Sequence, residues 1–138
     1  MKIIIFGENR FSIKLCEQLK DENEIKFFSE QNYREINYQI NEDVDCIINT
    51  GHRQNINYFK KNFDDSEIIF HNLKMDIDIA EMCINNNIKL IYFENINRKE
   101  DSFISDIYKT YSKEKNLKVN VIRTGDILNE NIDTDLNT

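Results

Sequence analysis

The chain has 138 residues, of which 40% are hydrophobic and 31% are charged, and this composition suits one globular domain with a single core. Its net charge of −7 is spread along the chain and argues against binding to nucleic acid or to an anionic membrane surface, since phosphate binding needs clustered Lys and Arg. No apolar run reaches the roughly 18 residues that a membrane span needs, and Met1-Lys2 leads into a strand without a signal-peptide cleavage site, so we expect a cytoplasmic location.

Short apolar runs alternate with helical spacing through the first part of the chain. The pattern predicts, in order, a strand at Lys2–Phe6, a helix at Phe11–Lys20, a strand at Glu24–Phe28, a polar stretch at Glu30–Asn41 and a strand at Asp45–Asn49. A loop at Thr50–Asn55 and a short helix at Ile56–Phe63 follow. The first half therefore resembles a series of strand, helix and strand units.

The second part continues the alternation. Asp64-Asp65-Ser66 offers an N-cap for a long helix at Glu67–Asn86, with Ile69, Leu73, Ile77, Ala80 and Ile84 at helical spacing. A strand at Lys89–Phe93 is followed by a helix that Asp101-Ser102 caps and whose face carries Phe103, Ile107 and Tyr111, and then by a strand at Lys118–Ile122. The residues from about Thr124 are polar and acidic, so we predict one domain over residues 1–123 and a tail over 124–138.

Strands of about five residues separated by helices require crossover connections, which favour a parallel sheet. We therefore predict an α/β fold with a doubly wound, Rossmann-like parallel sheet of about five strands, in the order 3-2-1-4-5, with helices on both faces. Ligands bind such sheets beyond the carboxyl ends of the strands, at the switch point between strands 1 and 4. This would bring together the segments Gly7–Phe11, Ser29–Glu30, Thr50–Arg53 and Glu94–Asn97.

The turn after the first strand lacks two of the three glycines of a dinucleotide fingerprint. Gly7 allows the turn, but Arg10 and Ile13 occupy the positions where glycine admits the pyrophosphate and lets helix and strand pack closely. Three roles stay open for Arg10. Its side chain obstructs the phosphates, or its guanidinium pairs with one of them, or it lies exposed over a turn that binds nothing. Ile13 is expected to push the first helix away from the first strand.

Several segments resemble the extended short-chain dehydrogenase/reductase family, and the resemblance covers nearly the whole chain. Phe6–Phe11 looks like its glycine turn, Cys46–Gly51 like the strand that ends beside the adenosine, and His71-Asn72 like the start of its AsnxxGlyThr helix. Arg53–Tyr58 and Ile122–Leu128 resemble segments of nucleotide-sugar reductases of the dTDP-4-dehydrorhamnose reductase and UDP-4-keto-rhamnose epimerase-reductase type.

The resemblance implies a dinucleotide site at the carboxyl edge of the sheet. Its residues would be Gly7, Asn9, Arg10, Phe11, Ser29, Thr50, Gly51 and Arg53. The end of the second strand selects between NAD and NADP in this family, and here Ser29-Glu30 is followed by Arg34, so both cofactors stay open. Because two glycines are replaced, we expect the binding of NAD or NADP to be weak or lost.

The catalytic residues of the family are not matched. The family uses a Ser or Thr after strand 4 and a TyrxxxLys pair at the start of the next helix, in which the Lys ammonium lowers the pKa of the Tyr. Here Glu94 or Asn95 occupies the first position, and the pair falls on Ile104 and Tyr108 or, in another register, near Asn95 and Lys99. We therefore predict no catalytic residues.

The remaining candidates favour structural roles. A literal TyrxxxLys string at Tyr111–Lys115 lies near a helix C-terminus, away from the cofactor edge. His52 and His71 lack other ligand-type residues at useful spacing, so no metal is expected. Cys16, Cys46 and Cys83 lie among apolar residues without CxxC spacing and are expected to be free buried thiols.

Three functions stay open. The first is a degenerate, catalytically inactive nucleotide-sugar reductase-like domain that retains weak dinucleotide binding at most; we also expect it to lack the family's substrate-gripping lobe. The second is an active NAD(P)-dependent 4-keto-6-deoxy-sugar reductase, with rearranged residues or a partner that supplies the missing lobe. The third is an interaction module that forms a homodimer or binds another protein through the helices at 67–86 and 101–115, as the resemblance implies.

Overall fold

The computed structural model describes residues 1–7, 9–40, 43–51 and 65–125. The strands are β1 (Lys2–Phe6), β2 (Glu24–Phe28), β3 (Cys46–Asn49), β4 (Lys89–Asn95) and β5 (Val119–Thr124). The α-helices are α1 (Arg10–Leu19), α2 (Ile36–Gln39), α3 (Asp65–Asn86) and α4 (Lys99–Lys115), and a 3-10 turn at Tyr33–Glu35 leads into α2. The predicted helix at Ile56–Phe63, and the predicted tail beyond Gly125, lie outside the described residues.

All neighbouring strands of the sheet are parallel, and their order is β2-β1-β3-β4-β5. The predicted α/β class, with a doubly wound parallel sheet and helices on both faces, is confirmed. The predicted order differs in one respect, because β3 pairs with β1 in the middle of the sheet instead of lying beyond β2 at its edge. The switch point is therefore between β1 and β3.

Crossover handedness explains which face each helix covers. The β1-to-β2 connection runs to one side of β1, whereas the following connections run to the other side, and right-handed crossovers then lie on opposite faces. Helix α1 packs on one face, where Leu15, Cys16 and Leu19 contact a cluster around Ile5 and Ile48. Helices α2, α3 and α4 share the other face.

The larger core lies between the sheet and these three helices. It includes Ile4 and Phe6 of β1, Ile36 of α2, Met75 and Ile79 of α3, Leu90 and Tyr92 of β4, and Tyr108 of α4. Alternate residues of each strand point to opposite faces, and burial on both faces explains why β1 and β3 are uninterrupted apolar runs. The described residues contain no helix long and apolar enough to cross a membrane.

The face that α4 turns toward the sheet matches the predicted stripe only in part, because Ile107 and Tyr111 pack against the core and Phe103 does not. The buried residues of α4 are Asp101, Ile104, Ser105 and Tyr108. Phe103 is 54% exposed, and Ile107 and Tyr111 are half-buried. The helix also begins at Lys99, so Asp101 lies in its first turn. There its carboxylate accepts a hydrogen bond from the backbone amide of Asn95 (2.8 Å). A polar buried stripe cannot be recognised from apolar periodicity alone.

Candidate functional site

The switch point brings the turn after β1 next to the end of β3. Gly7 has φ +107°, a conformation that side chains rarely adopt. A Cβ on Gly7 would lie against Thr50 Oγ1 and 2.9 Å from the carbonyl oxygen of Gly51, so only glycine fits there. The Gly7 amide donates to the Phe28 carbonyl (3.0 Å), and the Thr50 amide donates to the Phe6 carbonyl (3.0 Å). The turn is thus held to strands on both sides of it.

Asn9 and Thr50 join the start of α1 to the end of β3. Both are buried. The Asn9 amide nitrogen Nδ2 donates to Thr50 Oγ1 (3.1 Å), and the Thr50 hydroxyl donates to the Phe6 carbonyl (3.0 Å). Asn9 also caps α1. Its Oδ1 accepts from the backbone amide of Ser12 (2.8 Å), and the backbone amide of Asn9 donates to Ser12 Oγ (3.0 Å). The polar groups of both side chains therefore bond within the protein.

Helix α1 approaches the sheet through Ser12 and Phe11. Ser12 is fully buried, whereas Ile13 is 40% exposed. The expectation that Ile13 pushes α1 away from β1 is therefore wrong: its side chain points outward, because the next residue of a helix lies about 100° around the axis. The Phe11 ring packs edge-on against Phe93, with centroids 4.8 Å apart. Arg10 is exposed at the first residue of α1.

The other predicted cofactor residues are divided between the edge and its surroundings. Gly51 lies at the switch point with φ +83°, and its amide donates to Asn49 Oδ1 (2.9 Å). Ser29 follows β2, and its amide donates to Asn32 Oδ1 (2.7 Å) in a local turn. Arg53 lies outside the described residues. Of the predicted set, Gly7, Asn9, Thr50 and Gly51 come together, and Arg10 lies close by at the start of α1.

A buried polar network runs from this edge into the larger core. Asn49 Nδ2 donates to Asp76 Oδ1 (2.9 Å) and to the Tyr108 hydroxyl (3.1 Å), and that hydroxyl donates to the Asp76 backbone carbonyl (2.8 Å). All three residues are at most 1% exposed. Burial, with the Asp76 carboxylate nearby, raises the pKa of Tyr108 well above its usual range. Tyr108 is therefore a protonated link between β3, α3 and α4.

Glu94 lies near the carboxyl end of β4, where the family resemblance expects a Ser or Thr. Its side chain is almost completely buried and forms an ion pair with Arg123 of β5, whose Nε donates to Glu94 Oε2 (3.0 Å). Hydrogen bonds to a charged group are stronger than neutral ones, so this pair ties the ends of β4 and β5 together. A paired carboxylate is an acceptor and cannot donate a hydrogen bond to a substrate oxygen.

The other positions expected for catalysis hold residues with structural contacts. Asn95 is buried, and its Oδ1 accepts a hydrogen bond from the backbone amide of Asn97 (2.9 Å) in the turn before α4. Ile104 is part of the larger core, and Lys99 is exposed at the first residue of α4. No Tyr and Lys pair is brought together by these positions.

The TyrxxxLys string at the end of α4 lies at the opposite edge of the sheet from the switch point, because α4 runs back along the strands. The Lys115 ammonium lies over the face of the Tyr111 ring, 4.8 Å from its centroid, rather than beside the hydroxyl. This contact covers part of the ring at the C-terminal end of the helix.

The three cysteines are free; Cys46 and Cys83 are buried and Cys16 is half-buried. Burial raises the pKa of Cys46 and raises that of Cys83 to about 12. His71 is exposed, and His52 lies outside the described residues. Across the described part of the chain, no three His, Cys, Asp or Glu residues group as metal ligands.

Sequence reasoning missed the network of Asn49, Asp76 and Tyr108. The available signals were a polar residue closing an apolar strand and an Asp among the apolar residues of a long helix. Neither signal identifies its partner, because the hydrogen bonds join residues 27 to 59 positions apart. The pairing therefore depends on the packing of α3 and α4 against β3.

The fold and the polar edge at its switch point define a Rossmann-like α/β protein. Among solved structures, the chain is similar to one described as the X-ray structure of Pal from Bacillus thuringiensis, with a TM-score of 0.64 and 13% identity over 89% of this chain and 55% of that one. The chain thus spans about half the length of that structure, and at this identity the likeness concerns the fold. No family model matches the chain, and no curated protein matches it in sequence.

Proposed function

We propose that the chain is a degenerate nucleotide-sugar reductase-like domain of the extended short-chain dehydrogenase/reductase type, without catalytic activity and with at most weak dinucleotide binding. The observation that carries this proposal is the buried Glu94 carboxylate paired with Arg123, at the position where catalysis in that family needs a hydroxyl donor. A negative charge there opposes the alkoxide-like charge of the transition state instead of stabilising it.

The residues at the TyrxxxLys positions also support a domain without catalytic activity. A general acid must reach the substrate, and its pKa must lie near the working pH. Ile104 has no proton to give, and the Tyr108 hydroxyl is engaged with Asn49 and Asp76 inside the core. The pKa of Tyr108 is also shifted upward, opposite to the direction that general catalysis by this residue requires.

The switch point supports weak binding for a different reason. Rossmann-like sheets bind phosphates at the N-terminus of the first helix, where backbone amides and the helix dipole attract anions. Here the Asn9 side chain already accepts from the Ser12 backbone amide, and its Nδ2 donates to Thr50 Oγ1. A dinucleotide would have to bind beside these contacts, with the exposed Arg10 as the nearest side-chain cation among the described residues of the turn.

Thermal shift with NAD, NADH, NADP and NADPH tests this proposal. A ligand at a concentration equal to its Kd adds about 0.4 kcal/mol to the stability. Weak binding means a Kd of about 1 mM or higher. We therefore expect 1 mM cofactor to raise Tm by about 2 °C or less for a domain of this size. We also expect no oxidation of NADH or NADPH when a 4-keto-6-deoxy nucleotide sugar is added.

Two alanine variants identify the site of any residual shift. Arg10→Ala removes the cation at the start of α1 and should reduce the shift, whereas Lys20→Ala removes an equal charge at the other end of that helix and should leave it unchanged. Saturation at micromolar cofactor, with cofactor consumption in the presence of the keto sugar, would instead favour the active reductase. Equal shifts for the two variants would place the binding elsewhere.

A role in protein association is the second candidate, and two exposed aromatic residues favour it. Phe70 of α3 is 69% exposed and Phe103 of α4 is 54% exposed, on the two helices through which we expect a homodimer. Leu73 and Ile107 are half-buried on the same helices and could extend an apolar surface. Association needs apolar area rather than catalytic geometry, so such a surface can persist after activity is lost.

Analytical ultracentrifugation tests the homodimer. We expect the wild-type chain to dimerise at micromolar concentration and Phe70→Ser to weaken the dimer by at least tenfold, because a large apolar contact is removed. Ile13→Ser is the control, since Ile13 is 40% exposed and belongs to α1, which covers the opposite face of the sheet from these two helices. A wild-type chain that stays monomeric up to 100 µM, or an equal effect of both variants, would contradict the dimer.

A further inference from the structure

Part of the sheet is uncovered on the face where α1 packs. Among the described residues, α1 is the one helix on that face, and it reaches β4 through the Phe11 ring beside Phe93. Ile91 and Phe93 of β4 are only half-buried there, and Ile122 of β5 is 42% exposed. The register pairs Ile122 with Phe93, so their side chains lie on the same face. We call the surface formed by Ile91, Phe93 and Ile122 the uncovered sheet face.

The sequence that follows β5 has a pattern suited to this surface. Strand β5 ends at Thr124, and residues 126–138 lie outside the part of the chain that the structure describes. In their sequence, Leu128, Ile132 and Leu136 recur at every fourth position, and this spacing places three apolar side chains on one side of a helix. The sequence therefore favours an amphipathic segment directly after the strand that borders the uncovered sheet face.

The length of this segment also suits the uncovered sheet face. A helix rises 1.5 Å per residue, so residues 127–136 would span about 15 Å as a helix. Strand β5 has six residues and spans about 20 Å. Connections of two residues commonly join a strand to a helix, so Gly125 and Asp126 are sufficient for the reversal. The helix would then return along β4 and β5 toward their amino ends.

Charges at the amino ends of these strands complement the segment. Residues 126–138 contain no Lys or Arg and four acids, which are Asp126, Glu130, Asp133 and Asp135. Lys89 begins β4 and Lys118 precedes β5, and both are exposed. A returning helix would bring Asp133 and Asp135 toward these two ammonium groups. Exposed ion pairs are weak, so the charges favour this orientation while the apolar contact provides most of the attraction.

We propose that residues 127–136 pack as an amphipathic helix on the uncovered sheet face, with their apolar stripe against Phe93 and Ile122. The segment is tethered next to this surface by β5, so a small apolar contact is enough to hold it there. The contact gives β4 and β5 a helix on the face that α1 leaves open. It is independent of dinucleotide binding and of the surface on α3 and α4 through which we expect a homodimer.

Nuclear magnetic resonance of the full chain tests this contact. We expect nuclear Overhauser effects from the Ile132 methyl groups to the Phe93 ring and to the Ile122 methyl groups. We also expect backbone order parameters of about 0.85 for residues 128–136, as in other ordered segments. Absence of these Overhauser effects contradicts the proposal, and so do order parameters below about 0.6. Overhauser effects found between labelled and unlabelled chains in a mixed sample also contradict it, because they assign the contact to a second copy.

Two aspartate substitutions identify the side of the segment that makes the contact. Ile132→Asp puts a charge in the apolar stripe and should lower the order parameters of residues 128–136 below about 0.6. Thr134→Asp is the matched control, because it adds the same charge on the opposite side of the helix and should leave these order parameters unchanged. Both positions lie beyond β5, so the backbone signals of β4 and β5 report whether the sheet stays folded. An equal effect of the two substitutions would overturn the proposal.

Discussion

Gly7→Ala is expected to lower the free energy of unfolding by about 3–5 kcal/mol, because the new methyl group is both strained and overpacked. The residue has φ +107°, and its Cβ would press on Thr50 Oγ1 and the Gly51 carbonyl oxygen. Relief requires β1 and β3 to separate where Thr50 bonds to Phe6. Urea denaturation followed by circular dichroism measures the loss as a lower midpoint.

Gly125→Ala provides the matched control for this substitution. Among the described residues, a Cβ on Gly125 would meet only Ile96 Cδ1, at an ordinary distance of 3.9 Å, so its effect should stay within about 0.5 kcal/mol. If both variants unfold at the same urea concentration, the close approach of the β1 turn to Thr50 does not contribute to stability as described.

Raising the pH from 9 to 12 is expected to cost the fold about 3 kcal/mol through Cys83 alone. Burial raises the pKa of this thiol from an ordinary 9.0 to about 12, so the folded state holds the proton more tightly than the unfolded state. The resulting stability is complete below pH 9 and is lost as the pH approaches 12, at about 1.4 kcal/mol per pH unit. Tyr108, whose pKa is raised in the same way, adds to the loss above pH 10.

Urea denaturation of the wild-type chain and of Cys83→Ala between pH 8 and pH 11 measures this contribution. The variant should be less stable at pH 8, because it leaves a space in the core. Its stability should then fall less steeply above pH 9, so that the two chains converge by about 1.4 kcal/mol per pH unit. Parallel pH profiles would show that Cys83 does not release a proton on unfolding.

The elements were largely predictable from local patterns. Uninterrupted apolar runs at β1 and β3 and polar residues between helical segments depend only on neighbouring residues, and each described strand overlaps its prediction. The position of β3 was not predictable in this way, because a local pattern contains no information on which strand becomes its neighbour. The connection from β2 to β3 crosses over β1, so β3 pairs with Ile3–Phe6 instead of lying beyond β2.

The candidate site was predictable as a set of loop positions. Parallel strands put their carboxyl ends at one edge, so Gly7, Asn9, Thr50 and Gly51 were expected near one another before any contact was seen. What these side chains do there was not predictable. Asn9 and Thr50 bond to each other rather than facing outward, and Ile13, expected to separate α1 from β1, points to solvent.

By itself, the sequence determined the α/β class and the approximate extent of the strands, since these depend on composition and on spacing along the chain. Only the tertiary structure decided the strand order, the buried face of α4 and the partners of Asn49, Glu94 and Tyr108. The physical reason is distance along the chain: the side-chain partners of Asn49, Glu94 and Tyr108 lie 27 or more positions away from them, and their contacts form only when helices and strands pack together.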